Sequence, residues 1–149
     1  MSYTPQSAFR LLKFYAASQE ETLEIPLAGE TVRAGFPSPA EDFVELSIDL
    51  NRELIKNPAS TFYCRVMGDS MKDLGIGDGD LLVVDKSLEP ENGKIAVCFL
   101  DGEFTLKEIC LEKDHCLLLP ANAKYPPIKV TEENNFIVWG IVRYVIKSF

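Results

Sequence analysis

Residues 94–110 read Lys-Ile-Ala-Val-Cys-Phe-Leu-Asp-Gly-Glu-Phe-Thr-Leu-Lys-Glu-Ile-Cys. Two apolar runs flank Asp101-Gly102, a dipeptide suited to a two-residue hairpin turn. The segment therefore predicts a hairpin of two strands, 94–100 and 103–110. Further strands are expected over 61–67, 80–85, 116–119, 128–130 and 136–148. Turn signals at 75–79 and 90–93 separate several of them. Seven short strands with this spacing describe a mainly β domain built on a strongly curved or closed sheet.

The chain before residue 60 reads differently. Residues 7–17 (SAFRLLKFYAA) fit a short amphipathic helix, and Glu20, Glu21 and Glu24 follow. Pro26, Gly29, Gly35, Pro37 and Pro39 then punctuate an extended stretch. Residues 1–37 are read as an arm without a core of its own, and 38–149 as the β-rich domain. At the junction Ser38, Pro39 and Glu41 form a capping-box signature. Phe43, Leu46, Leu50 and Leu54 continue it as a helical apolar stripe, ended by Asn57-Pro58. Asp49 offers a second cap, which would break that helix in two.

The 149 residues carry 23 Asp and Glu against 15 Lys and Arg, a formal charge of −8, and no Lys/Arg run. Direct DNA binding is therefore not expected, because phosphate backbones reward clustered cations. Four cysteines with no Cys-x-x-Cys pair, and a single histidine, argue against zinc; no metal and no cofactor are expected. Cys64, Cys98, Cys110 and Cys116 read as free thiols of a reducing compartment. No apolar run reaches the roughly 18 residues of a membrane span. Arg10 and Lys13 interrupt the apolar residues near the N-terminus, so no signal peptide is read there. A cytoplasmic protein is expected.

The candidate chemistry lies in Ser70 and Lys107, 37 positions apart. Gly68 precedes Ser70 by two residues at the end of a predicted strand, where a sharp turn can expose the hydroxyl and direct backbone N–H groups at an oxyanion. Lys107 shares a strand face with Thr105 and Ile109. An ordinary lysine is neutral in only about one molecule in a thousand near pH 7.4. Burial lowers a lysine toward neutral pH, where the free amine can take a serine proton. Read singly, each residue is as compatible with a plain turn serine and an exposed edge lysine. His115 is the competing base, but it sits in a polar turn next to Asp114, an adjacency that suits a catalytic triad poorly.

Three segments together carry a resemblance. Met67-Gly68-Asp69-Ser70-Met71, Gly77-Asp78-Gly79-Asp80-Leu81-Leu82-Val83-Val84-Asp85 and Asp101-Gly102-Glu103-Phe104-Thr105-Leu106-Lys107 resemble the LexA/UmuD family of self-cleaving serine peptidases of S24 type. The likeness runs from about residue 25 to the C-terminus. Gly35-Phe36-Pro37-Ser38-Pro39-Ala40 and Ile48-Asp49-Leu50-Asn51 are most similar to its UmuD-type members. The resemblance implies a LexA-like β-rich peptidase fold with Ser70 as nucleophile and Lys107 as general base. It implies self-cleavage between Ala34 and Gly35, within the arm. It also implies a homodimer, stimulation by the RecA–single-stranded DNA filament, and a processed form that works with a UmuC-type Y-family polymerase in error-prone translesion synthesis.

The same residues admit other functions. A LexA-like repressor needs a DNA-binding domain ahead of the cut, and 34 residues are few for one. A leader peptidase needs a membrane anchor. A non-enzymatic polymerase-docking subunit with a vestigial dyad would keep the fold without the reaction.

Overall fold

The computed structural model describes residues 12–17, 24–28 and 44–149. Its strands are β1 (Leu12–Ala16), β2 (Glu24–Ala28), β3 (Val44–Asp49), β4 (Thr61–Val66), β5 (Leu81–Asp85), β6 (Ile95–Leu100), β7 (Glu103–Leu111), β8 (Cys116–Leu119), β9 (Ile128–Val130) and β10 (Phe136–Ile146). Among the described residues a short helix, α1, spans Leu50–Leu54, and 3-10 turns occupy Pro58–Ser60 and Lys72–Leu74. Eight strands form one antiparallel sheet in the order β1-β4-β5-β10-β6-β7-β8-β9. β2 and β3 form a separate antiparallel pair.

The hairpin forms as its residues dictate. β6 and β7 pair from Ile95↔Glu108 to Leu100↔Glu103. Asp101 and Gly102 take φ of 46° and 92°, the left-handed backbone such a turn requires. Alternation then sends the hairpin's side chains to two faces, and both are covered. Val97 and Leu106 join Cys64, Leu82, Val84 and Met71 on one side. Ala96, Cys98 and Ile109 join Cys116, Leu118 and Ile141 on the other. A strand buried on both faces reads as a nearly continuous apolar run, which is how this segment reads.

All seven strands expected after residue 60 are present, within one or two residues at their ends. The sheet is curved rather than closed in its ladder of pairings. β10 lies at its centre, between β5 and β6, and is bulged against β5 at Val142/Tyr144 and against β6 at Val138/Gly140. Bulges of this kind bend a strand and increase its twist.

Two expected helices are corrected. Within 7–17, residues 12–16 form β1, paired with β4; the remainder except Ala17 lies outside the described residues. A helix this short is marginal in water, and an open sheet edge offers its backbone better partners. Of the stripe expected to start at Ser38, Val44–Asp49 form strand β3, and Phe43 lies outside the described residues. Val44, Leu46 and Ile48 alternate with Glu45, Ser47 and Asp49, and pairing with β2 selects that period of two over the helical one. Among the described residues of that stretch, helix is found in α1, where Asp49 Oδ1 accepts from Asn51 N–H at 3.1 Å, as its role as a second cap requires. Ser38, Pro39 and Glu41 lie outside the described residues.

Candidate active site

β4 delivers the chain to the site. At its end Val66 N–H donates to Asp80 O (2.9 Å) and Gly79 N–H donates to Val66 O (2.8 Å). Gly68 follows with φ of 109°, a conformation L side chains rarely adopt, and its N–H donates to Asp78 Oδ1 at 2.9 Å. The turn is anchored below by Met71, which is buried in the core. Asp80, also buried, accepts from Gly77 N–H (2.9 Å) and from Lys147 Nζ (2.7 Å). Burial pushes the Asp80 carboxyl up, but these two partners outweigh it and hold it below the usual value. The second strand of the turn is thereby tied to the C-terminal end of the chain.

Ser70 is held from the opposite side by the segment between β8 and β9. Ala121 N–H donates to Ser70 O at 2.8 Å, and Asp73 N–H donates to Ala121 O at 2.8 Å. The buried Asn122 donates through Nδ2 to Asp69 O at 2.9 Å, and the Tyr125 hydroxyl donates to Asp69 Oδ1 at 2.8 Å. Among the described residues no acceptor takes the backbone N–H of Asp69 or of Ser70. Two donors beside the hydroxyl thus remain available to a substrate oxygen.

Lys107 approaches from β7. Its register opposite Ala96, with Thr105 opposite Cys98, puts it on the face of the second core cluster. It is only 7% exposed. Lys107 Nζ lies 3.2 Å from Ser70 Oγ and 2.8 Å from Thr105 Oγ1, and donates to Leu106 O at 3.0 Å. Burial lowers its pKa from the ordinary lysine value of 10.5. The pair opens onto a cleft of about 310 Å³ lined by Val66, Met67, Leu106, Tyr125, Pro126 and Ile128. An apolar trough with an amine and a hydroxyl at its floor suits an extended peptide with small or apolar side chains.

The two sequence-predicted residues are therefore together, while Ala34 and Gly35 lie outside the described residues. His115 does not line the cleft. Its Nδ1 sits 2.7 Å from the adjacent Asp114 Oδ1, in the turn before β8. Two features went unread in the sequence. Thr105 was placed on the face of Lys107 but not recognised as the hydrogen-bond partner of its amine. Asn122 gave no signal, because its partner is 53 positions away. All four cysteines are free. Burial pushes the Cys64 and Cys98 thiols up to about 12, which leaves both inert.

Residues 26–143 match the family model described as peptidase S24-like. The chain belongs to this family. It is similar to Protein SamA of Salmonella typhimurium, with 50% identity over 117 residues, or 78% of this chain and 81% of SamA. It is 38% identical to Protein ImpA of Escherichia coli over 87% of this chain and 88% of ImpA. It is 35% identical to Protein MucA of Escherichia coli over 88% of this chain and 90% of MucA. These matches agree with the UmuD-type resemblance read from the motifs. As an S24 peptidase-like chain it carries the mainly β fold expected of it. Among the described residues no helix is long and apolar enough to cross a membrane.

Proposed function

We propose that this chain is a UmuD-like SOS-response protein that cuts itself once, between Ala34 and Gly35, with Ser70 as nucleophile and Lys107 as general base. The observation that carries the reading is the 3.2 Å approach of a buried amine to a serine hydroxyl at the floor of an apolar cleft. The donor count supports it. An ammonium can donate to Ser70, Thr105 and Leu106 O together. A neutral amine keeps two N–H groups, enough for Leu106 O and Thr105, and turns its lone pair to the Ser70 O–H.

Ser70 Oγ then attacks the Ala34 carbonyl carbon as its proton passes to Lys107 Nζ. The N–H groups of Asp69 and Ser70 receive the oxyanion. Collapse breaks the C–N bond, and Lys107 returns the proton to the Gly35 amine. Water gives a proton to the same amine and attacks the ester carbonyl; the acyl C–Oγ bond breaks, and Lys107 returns that proton to Ser70 Oγ, freeing the Ala34 carboxylate.

The arm, residues 1–37, is the substrate of the domain formed by 38–149, so its effective concentration is high whenever it docks. The rate then depends on how often the arm adopts the cleavable pose and how often Lys107 is neutral. A RecA–single-stranded DNA filament would act by shifting the first population. The processed homodimer would serve a UmuC-type polymerase in translesion synthesis in the cytoplasm. The test is to incubate purified protein at alkaline pH and weigh the products. A fragment beginning at Gly35, absent from Ser70→Ala and Lys107→Ala, is the expected result. An uncut chain under all conditions would favour the second reading, a polymerase-docking subunit with an idle dyad.

A further inference from the structure

The segment ahead of the cut is held to the rest of the chain by two separate strand ladders. β1 pairs with β4 from Leu12↔Val66 to Ala16↔Phe62, and Ala17 N–H donates to Thr61 O at 3.3 Å. β2 pairs with β3 from Glu24↔Asp49 to Ala28↔Val44. The Ala34–Gly35 bond falls between β2 and β3 in the chain. Both β1 and β2 therefore lie on its amino side, and both of their partners lie on its carboxyl side. Hydrolysing that bond breaks neither ladder.

β1 is also more than a strand at the end of a sheet. The Phe14 ring lies 4.9 Å from the ring of Phe104 and 4.8 Å from that of Trp139. Trp139 packs in turn on Phe62 at 5.4 Å, and Lys86 Nζ stands 4.8 Å over the Trp139 ring. Phe14 thus closes an aromatic slot whose other walls come from β4, β7 and β10. Without β1, the outer edge of β4 would present unpaired N–H and C=O groups beside an open apolar slot, the two elements of a strand-addition site.

We propose that the β4 edge and the slot between Phe104 and Trp139 form a strand-binding site whose occupant is residues 12–16 of this chain, and that this site retains the fragment 1–34 after the cut. The inference rests on the cut falling at Ala34–Gly35. Hydrolysis changes the occupant from a tethered segment to an exchangeable one. Before the cut its effective concentration is on the order of millimolar. Afterwards, occupancy depends on the affinity of the two ladders acting together. Release, a step distinct from hydrolysis, uncovers the β4 edge.

The experiment uses the full chain carrying Ser70→Ala, with the recognition sequence of a site-specific protease in place of residues 30–36. That protease nicks the chain whether or not Ser70 and Lys107 cut, so failure of self-cleavage and failure of this inference are separate results. Size-exclusion chromatography and native mass spectrometry at low micromolar concentration read whether the pieces stay together. Trp139, the only tryptophan, reports the slot by its emission. Co-migration of the two pieces with unchanged Trp139 emission is expected. Phe14→Ala should weaken retention at least tenfold and shift that emission to the red. Phe14→Leu, which keeps apolar volume without the ring, serves as the second variant should Phe14→Ala not fold. Immediate loss of the amino-terminal piece from the nicked parent, or equal retention with and without the Phe14 ring, would overturn the proposal.

Discussion

The Tyr125 hydroxyl donates to Asp69 Oδ1 at 2.8 Å, so the residue before Ser70 is gripped by a side chain 56 positions further along. Asn122 holds the backbone oxygen of the same residue. Together they set where the serine stands relative to β7. Tyr125→Phe keeps the ring and removes this hydrogen bond. It should slow self-cleavage about 3- to 10-fold, the scale of a small misplacement of a reacting group. The melting temperature should barely move, since the tyrosine lies at the cleft rim. Gel-based cleavage rates beside a thermal melt check both.

The depressed pKa of Lys107 gives the rate a direction with pH. Self-cleavage should rise as pH rises, with its midpoint below the ordinary lysine value of 10.5. A flat profile between about pH 7 and 10 would remove Lys107 from the reaction.

The same group has a stability signature. Between its lowered folded pKa and 10.5, the unfolded chain binds the proton and the folded chain does not, so Lys107 makes stability rise with pH across that window. Below it, burying the ammonium is a penalty. Lys107→Met should therefore be more stable than the parent at neutral pH, by a margin that disappears above 10.5. Urea titrations at several pH values measure it.

Asp85 predicts the opposite limb. It is 2% exposed and accepts from Asn57 Nδ2, Ser60 Oγ, and the N–H and hydroxyl of Ser87. Burial pushes its carboxyl up, but these donors outweigh it and hold it at about 2. A depressed carboxylate stabilises the fold above its unfolded value of 3.8, and that contribution is lost as pH falls toward 2. Asp85→Asn should lose about 1.5–3 kcal/mol at neutral pH, the usual worth of hydrogen bonds to a charged acceptor. Its acid-unfolding curve should also be flatter than the parent's between pH 4 and about 2.

Gly140 marks the β10 bulge against β6. A Cβ there would come within 2.5 Å of Val84 Cγ1, a fully buried atom with no room to retreat. Gly140→Ala should destabilise by about 1–3 kcal/mol through overpacking. Denaturant titration gives the number, and unchanged stability would mean that β5 and β10 can separate at this point.

Much of the fold was legible because its signals are short-range. Asp101-Gly102 specifies the turn, the turn specifies the register, and the register places Lys107 beside Thr105 and Ile109. Strand alternation put Lys107 on a face with Ile109 and left a desolvated lysine and an exposed one both open; the structure buries it. The misread elements are those whose apolar spacing fits two periods. Residues 43–54 carry both a helical stripe and the alternation of Val44, Leu46 and Ile48, and only the presence of β2 decides between them. Residues 12–16 would suit a helix if β4 had no free edge.

The amino-acid sequence alone carries the set of later strands, the hairpin, the net charge of −8, and the motifs that put the chain in its family. Tertiary structure decided which strands meet. It brought Lys107 Nζ to 3.2 Å from Ser70 Oγ, clamped Asp69 from Asn122 and Tyr125, and seated Phe14 against Trp139. The reason is physical. Turn and alternation preferences act over a few residues, whereas each of these contacts closes a long loop and forms only when the whole sheet is in place.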